Sequence, residues 1–178
     1  MFKIEPQILH KASKVKLLIT DIDGVMTEGG ISYTSEGVEL KTFNVKDGLG
    51  FKLLKEAQIS TGIITGRKSA IVQKRAEELN ITHIYQGIDD KWTVLSQIIQ
   101  KENIQADEVA YIGDDWNDLS VFSRVGLSCC PADAHIELLN RADLVVSKNG
   151  GRGAVRELID IILTAQNKYQ TLLEKFIK

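Results

Sequence analysis

"LLITDIDGVMTEGG", residues 17–30, decides how the chain folds. Leu17 to Thr20 are apolar or β-branched throughout, as a strand buried on both faces of a parallel sheet requires. Asp21 and Asp23 follow at once, one residue apart, and glycines close the stretch. Carboxylates at the end of a buried strand repel each other and resist desolvation. Their presence there calls for a compensating charge.

Working outward, short apolar runs recur: "TGIIT", "THIYQ", "EVAYIG", "GLSCC" and "DLVVS". Amphipathic segments separate them: "GLGFKLLKEA", "SAIVQKRAEELN", "KWTVLSQIIQKEN", "DLSVFSRV" and "AHIELLNRA". This alternation predicts an α/β fold, a Rossmann-like parallel sheet with helices on both faces. A helical turn or two over Pro6–Lys14 leads in, and the closing stretch from Arg152 reads as one helix or two. Asp47, Ser69 and Asp133 are the expected helix N-caps. One piece breaks the rhythm. Residues 31–44, "ISYTSEGVELKTFN", have two β-rich arms around Ser-Glu-Gly and predict a β-hairpin inserted after the first strand.

The bulk properties narrow the class. The 178 residues, 43% hydrophobic and 26% charged, suit one soluble domain spanning 1–178 with a full core. A net charge of −2 and no basic stripe argue against nucleic acid. No apolar run nears the roughly 18 residues of a membrane span. "MFKIEPQILHKASK" lacks a signal peptide's apolar block, so the expected location is cytoplasmic. Cys129 and Cys130 are neighbours in an apolar run, with neither disulfide nor zinc spacing, and read as core filler in a reduced protein. His10, His83 and His135 stand apart without ligand-like neighbours.

In an open parallel sheet, ligands bind beyond the carboxyl ends of the strands. Collected there are Asp21 and Asp23, then Thr65-Gly66-Arg67, then Lys91, then Asp114-Asp115-Trp116-Asn117-Asp118. Three or four carboxylates, a hydroxyl and an ammonium at one rim call for a hard divalent cation. Mg²⁺ takes oxygen ligands and keeps waters, which suits a phosphate ligand.

The series D-x-D-G-V-x-T, T-G-R, Lys and G-D-D-x-x-D resembles the haloacid dehalogenase superfamily of phosphatases. The resemblance implies Asp21 as the nucleophile that forms an aspartyl-phosphate, and Asp23 as general acid and then base. It implies Thr65 on a phosphoryl oxygen and Lys91 countering charge in the transition state. Asp21, Asp114 and the backbone carbonyl of Asp23 would ligate Mg²⁺, with Asp115 helping directly or through water. "DIDGVMTEGGISYTSEGVELKTFNVKDGLG", "ITGRKSAIVQKRAEEL", "YQGIDDK" and "NGGRGAVRELIDIILTAQ" narrow the likeness. They are similar to the branch acting on eight-carbon keto-acid sugar phosphates of lipopolysaccharide synthesis. That likeness carries substrate contacts onto Asp23, Asn44, Val45, Lys46, Asp47, Gly48, Lys52, Gly66, Arg67, Arg75, Lys91 and Asn117. Arginines suit the carboxylate of such a sugar acid. Ser120, where the branch leads one to expect proline, and the cysteine pair are departures outside the catalytic set.

Three other readings stay open. A relative acting on nine-carbon, sialic-acid-type phosphates tends to carry Glu where this chain has Arg67. A signalling receiver domain also gathers acids, a hydroxyl and a lysine, but opens on an adjacent acidic pair. A noncatalytic oligomerisation module would not need the complete set. Only 25 residues separate Thr65 from Lys91, too few for a lid domain. Neighbouring subunits could roof the site by pairing hairpins and reaching over with the "GGRGAVRE" region or the C-terminal tail, and the resemblance implies a lidless homotetramer with sites at subunit interfaces.

Overall fold

A computed structural model of the chain describes residues 4–177. Helix α1 (Pro6–Ser13) leads into β1 (Leu17–Thr20), then the hairpin strands β2 (Ser32–Tyr33) and β3 (Glu39–Leu40). There follow α2 (Val45–Glu56), β4 (Ser60–Thr65), α3 (Ala70–Glu78), β5 (His83–Gln86) and α4 (Lys91–Glu102). The second half holds β6 (Val109–Ile112), α5 (Leu119–Phe122), β7 (Leu127–Cys130), α6 (Ile136–Leu139), β8 (Leu144–Val145), α7 (Ala154–Ala165) and α8 (Tyr169–Ile177).

Six strands form one parallel sheet in the order β5-β4-β1-β6-β7-β8. Counting only its own strands, that is 3-2-1-4-5-6, the doubly wound Rossmann order; a receiver domain has 2-1-3-4-5. The receiver reading is thereby excluded. Successive βα units leave β1 in opposite directions, so a crevice opens at its carboxyl end between β4 and β6. Asp21 sits at that point, its N–H donating to Ile112 O at 3.0 Å.

The two-residue period sorts the strand side chains between two cores. Leu18, Ile63, Ala110, Ile112 and Cys129 pack with α1, α2, α3, α7 and α8. Leu17, Ile19, Ile64, Val109, Tyr111 and Cys130 pack with α4, α5 and α6. Adjacent Cys129 and Cys130 thus point to opposite faces, both free and buried. Burial pushes the Cys129 thiol well up and that of Cys130 to about 12, so both are inert filler.

The local expectations hold with two adjustments, both at helix caps. Ser69 caps α3, accepting from Val72 N. Asp47 does not cap α2: Asn44 does, accepting from Lys46 N at 2.9 Å, and Asp47 lies within the first turn. Asp133 does not cap α6 either; His135 does, and Asp133 accepts from Gly150 N at 2.9 Å. In both cases a cap-type side chain found a more distant amide partner. The closing stretch resolves into two helices. Asn167 takes a left-handed φ of 57°, and Lys168 N and Asn167 N donate back to Leu163 O and Thr164 O. That is a Schellman stop.

The hairpin is present but short, two residues per strand, with Tyr33 opposite Glu39. The two segments named as possible covers are engaged within their own chain. Helix α8 lies on α2 and α7, with Lys175 paired to Glu56 at 2.8 Å and Lys168 Nζ donating to Ala57 O. The Gly150–Gly151 turn packs on residues 24–28, with Gly151 N donating to Val25 O at 2.9 Å.

Candidate active site

Lys91, the first residue of α4, is fully buried. Its ammonium donates to Asp21 Oδ2 and to Asp118 Oδ1, both at 2.6 Å. Burial alone would favour the neutral amine, but the two carboxylates outweigh it and its pKa is raised. Asp21 is 4% exposed; its Oδ1 accepts from Ile22 N at 2.6 Å. Its pKa is raised by burial first and then by Asp118, with Lys91 pulling the other way.

Asp118 organises the rim. Oδ1 also accepts from buried Tyr111 Oη at 2.5 Å, and Oδ2 from the amides of Asp114 and Asp115 at 2.9 and 3.2 Å. Sequence reasoning quoted Asp118 within G-D-D-x-x-D but gave it no role. Its signal was the spacing, which turns the last carboxylate back onto the first two amides.

Oxygens of Asp21, Asp114 and Asp118 lie within 4.8 Å of one another, a geometry fit for a cation. Asp118 already satisfies four donors, so Asp21 and Asp114 are the carboxylates free to ligate. Asp114 is pushed up to about 8, by burial first and then by Asp118 and Asp21. A dication would relieve that crowding. Gly24 has φ +86°, and a Cβ there would collide with the Asp114 carboxylate, so the backbone following Asp23 packs directly on it. The donor set fits Mg²⁺. Asp115 stands beside this group, exposed, its Oδ1 capping the turn by accepting from Trp116 N at 2.8 Å.

The sequence profile of haloacid dehalogenase-like hydrolases matches residues 80–159. The 3-deoxy-D-manno-octulosonate 8-phosphate phosphatase of Yersinia pestis is 45% identical over 94% of this chain and 89% of its own. That of Salmonella typhimurium is 46% identical over 93% and 88%. The chain belongs to this phosphatase family. A crystal structure of the Moraxella catarrhalis phosphatase, in complex with magnesium, phosphate and KDO, superposes with a TM-score of 0.95 at 42% identity. The match covers 97% of this chain and 99% of that one.

The other residues expected of a member of the phosphatase family fall into two groups. Thr65, at the end of β4, is buried and Gly66 follows it; Asn117 Nδ2 lies 3.9 Å from where a Gly66 Cβ would stand. Asp23 pairs with Lys41 and stands 3.6 Å from Arg67 Nε. Arg67 Nη2 donates to Tyr33 Oη at 3.2 Å and Glu39 Oε1 at 3.1 Å. Lys41 and Glu39 were missed. Two residues apart on a strand, they share a face, and a paired charge on one face was the available signal.

Around the start of α2, Asn44 donates to Gly151 O at 3.1 Å. Val45 and Lys46 are exposed, and Gly48 lies under Arg75, whose guanidinium stands 5.9 Å from the Phe43 ring centroid. Lys52 is on the exposed face of α2. Asp47 is 1% exposed; Oδ1 accepts from Arg156 N at 2.8 Å while Oδ2 has no partner. Burial pushes it from 3.8 up to about 6, against the Arg156 amide and the charges of Arg156 and Arg75. A raised carboxyl pKa contributes stability below the unfolded value and loses it as pH rises through the folded one. The stability of wild type relative to Asp47→Asn should therefore fall between about pH 4 and pH 6–7, by on the order of 2–3 kcal/mol. Urea unfolding across that range checks it; a difference independent of pH would refute the shift.

Proposed function

We propose that the chain is a Mg²⁺-dependent phosphomonoesterase acting on 3-deoxy-D-manno-octulosonate 8-phosphate. It releases Kdo and phosphate for lipopolysaccharide precursor synthesis, as a single-domain cytoplasmic enzyme without nucleic-acid or membrane partners. The observation that carries this reading is the buried Asp21–Lys91 pair beside Asp114, at the switch point of a chain 45–46% identical to phosphatases of that substrate.

Asp21 attacks phosphorus as the ester P–O bond breaks, and the departing oxygen takes a proton from Asp23. Asp23 then removes a proton from the water that attacks the aspartyl-phosphate, and Asp21 is freed. The Lys91 ammonium, held at 2.6 Å from Asp21, stabilises charge on the phosphoryl oxygens, and the Thr65 hydroxyl donates to one of them. Asp21, Asp114 and the Asp23 carbonyl would hold Mg²⁺, with Asp115 directly or through water. The bound ion supplies the positive charge that lets a carboxylate approach a phosphate dianion. Substrate is bound by the Asn44–Gly48 turn, Lys52, Gly66, Arg67, Arg75 and Asn117, with the arginines serving the sugar's carboxylate.

A phosphate-release screen over sugar phosphates with Mg²⁺ tests the reading. The eight-carbon keto acid should turn over fastest and chelator should stop it. A faster nine-carbon substrate would move the specificity; no release from any ester would leave a noncatalytic module. Within the same screen, Arg67→Ala should lose roughly tenfold to a hundredfold on the keto-acid sugar phosphate, about 1.5–3 kcal/mol for a charge-assisted contact. The loss on p-nitrophenyl phosphate should be much smaller. Equal losses would place Arg67 at the phosphate or in the scaffold.

Among the described residues the site has no lid of its own beyond the hairpin, and closure benefits a reactive aspartyl-phosphate. Ile31, Tyr33, Val38, Leu40 and Val45 are exposed on or beside the hairpin. Pairing hairpins between copies would bury them and roof neighbouring sites. Light scattering should give about four times 19.8 kDa. A fully active monomer would refute the shared roof.

A further inference from the structure

Lys41 belongs to none of the motifs that carry the chemistry. It sits just past β3, on the return arm of the hairpin, yet its side chain is 2% exposed. An ammonium is desolvated only where fixed charges repay it. Here those are Asp23, whose Oδ1 it contacts, and Glu39, whose Oε1 is 3.6 Å away. Glu39 is itself held, accepting from Ser69 Oγ at 2.5 Å and Arg67 Nη2 at 3.1 Å. Ser69 is the N-cap of α3. The chain of contacts Ser69–Glu39–Lys41–Asp23 therefore ties the hairpin to the scaffold at one end and to the Asp23 carboxylate at the other.

The geometry limits what Asp23 can do. With Oδ1 on Lys41, rotation of the carboxylate is restricted, and Oδ2 stands 3.6 Å from Arg67 Nε. We infer that Lys41 is a positioning residue for the proton-transfer step, clamping Oδ1 of Asp23 so that Oδ2 faces the leaving oxygen. The inference rests on the phosphatase reading above. As the P–O bond breaks, the proton on Oδ2 passes to the departing oxygen, leaving Asp23 ionised for the water step. The hairpin thus takes part in orienting the acid as well as covering the site.

A misplaced acid matters most for leaving groups that need its proton. Phenolate and alkoxide do; p-nitrophenolate departs without it. With Mg²⁺ saturating, Lys41→Met should lower kcat on phenyl phosphate and on the sugar phosphate about tenfold to a hundredfold, a part of what general acid catalysis supplies. On p-nitrophenyl phosphate the loss should be at most a few-fold. Lys41→Arg, which retains the charge, should recover most of the difference. If Lys41→Met does not fold, Lys41→Leu, which likewise removes both donor and charge, is read the same way. An equal loss on both aryl esters, or no loss on either, would overturn the role of Lys41 while wild-type turnover still upheld the phosphatase. A wild type inert on all three esters would overturn both.

Discussion

Asp21→Asn should reduce Mg²⁺-dependent phosphate release by at least about a thousandfold, on p-nitrophenyl phosphate as on the sugar phosphate. The amide has no anionic lone pair to form the aspartyl-phosphate and is a weak ligand for a hard cation. The loss is uniform across substrates because the bond to phosphorus is common to all. The fold should survive. Lys91 keeps its 2.6 Å contact with Asp118, and the Asn Oδ1 can still accept from Ile22 N. The sign of the charge effect also favours the variant in metal-free buffer. Asp21 has a raised pKa in the folded chain, so its ionised form costs stability above its ordinary range. Without Mg²⁺ the variant should melt no lower than wild type. Adding Mg²⁺ should raise the wild-type melting temperature and leave that of Asp21→Asn nearly unmoved. Turnover within tenfold of wild type would sink the mechanism.

Asp118→Ala should produce the largest loss of stability of any change at the rim. Removing that carboxylate strips four donors of an acceptor: Lys91 Nζ, Tyr111 Oη and the amides of Asp114 and Asp115. It also relieves repulsion on Asp21 and Asp114, which Asp118 raises. The unpaired groups win, because Asp118 and Tyr111 are fully buried and no solvent replaces the lost acceptor. Breaking a buried charged network this way costs on the order of 3–5 kcal/mol. At about 2–4 °C per kcal/mol for a chain of this length, the melting temperature falls by roughly 10 °C. Activity should fall with it, since Lys91 loses one of the two anchors that aim it. Asp118→Asn retains an acceptor of the same shape and should lie between the two. An alanine variant melting like wild type would mean the four donors find other partners.

The sheet, its two helical layers and the gathering of Asp21, Thr65, Lys91 and Asp114 at one rim were legible from residue order alone. Buried parallel strands must be apolar throughout, and in such a sheet everything at a strand's carboxyl end shares one edge. The left-handed stop at Asn167 and the caps at Asn44 and His135 were less legible, because Asp47 and Asp133 are good cap residues locally and are claimed by amides 109 and 17 positions away. Local pattern has no access to such partners.

What the sequence determined by itself was the class of chemistry, because the ordered series D-x-D, T-G-R, Lys and G-D-D-x-x-D at strand ends calls for a cation and an anionic ligand. Which carboxylates are free to hold that cation was decided by the tertiary structure alone. Asp118 and Asp114 look equivalent in "GDDWND", but the turn of the chain spends both oxygens of Asp118 on four donors and leaves those of Asp114 crowded and unneutralised. Asp23 is likewise paired by folding with Lys41, eighteen positions further along the chain on the hairpin's return arm. Charge and hydrogen-bond capacity are local properties of a residue, whereas whether that capacity is already used depends on which distant groups folding brings within reach.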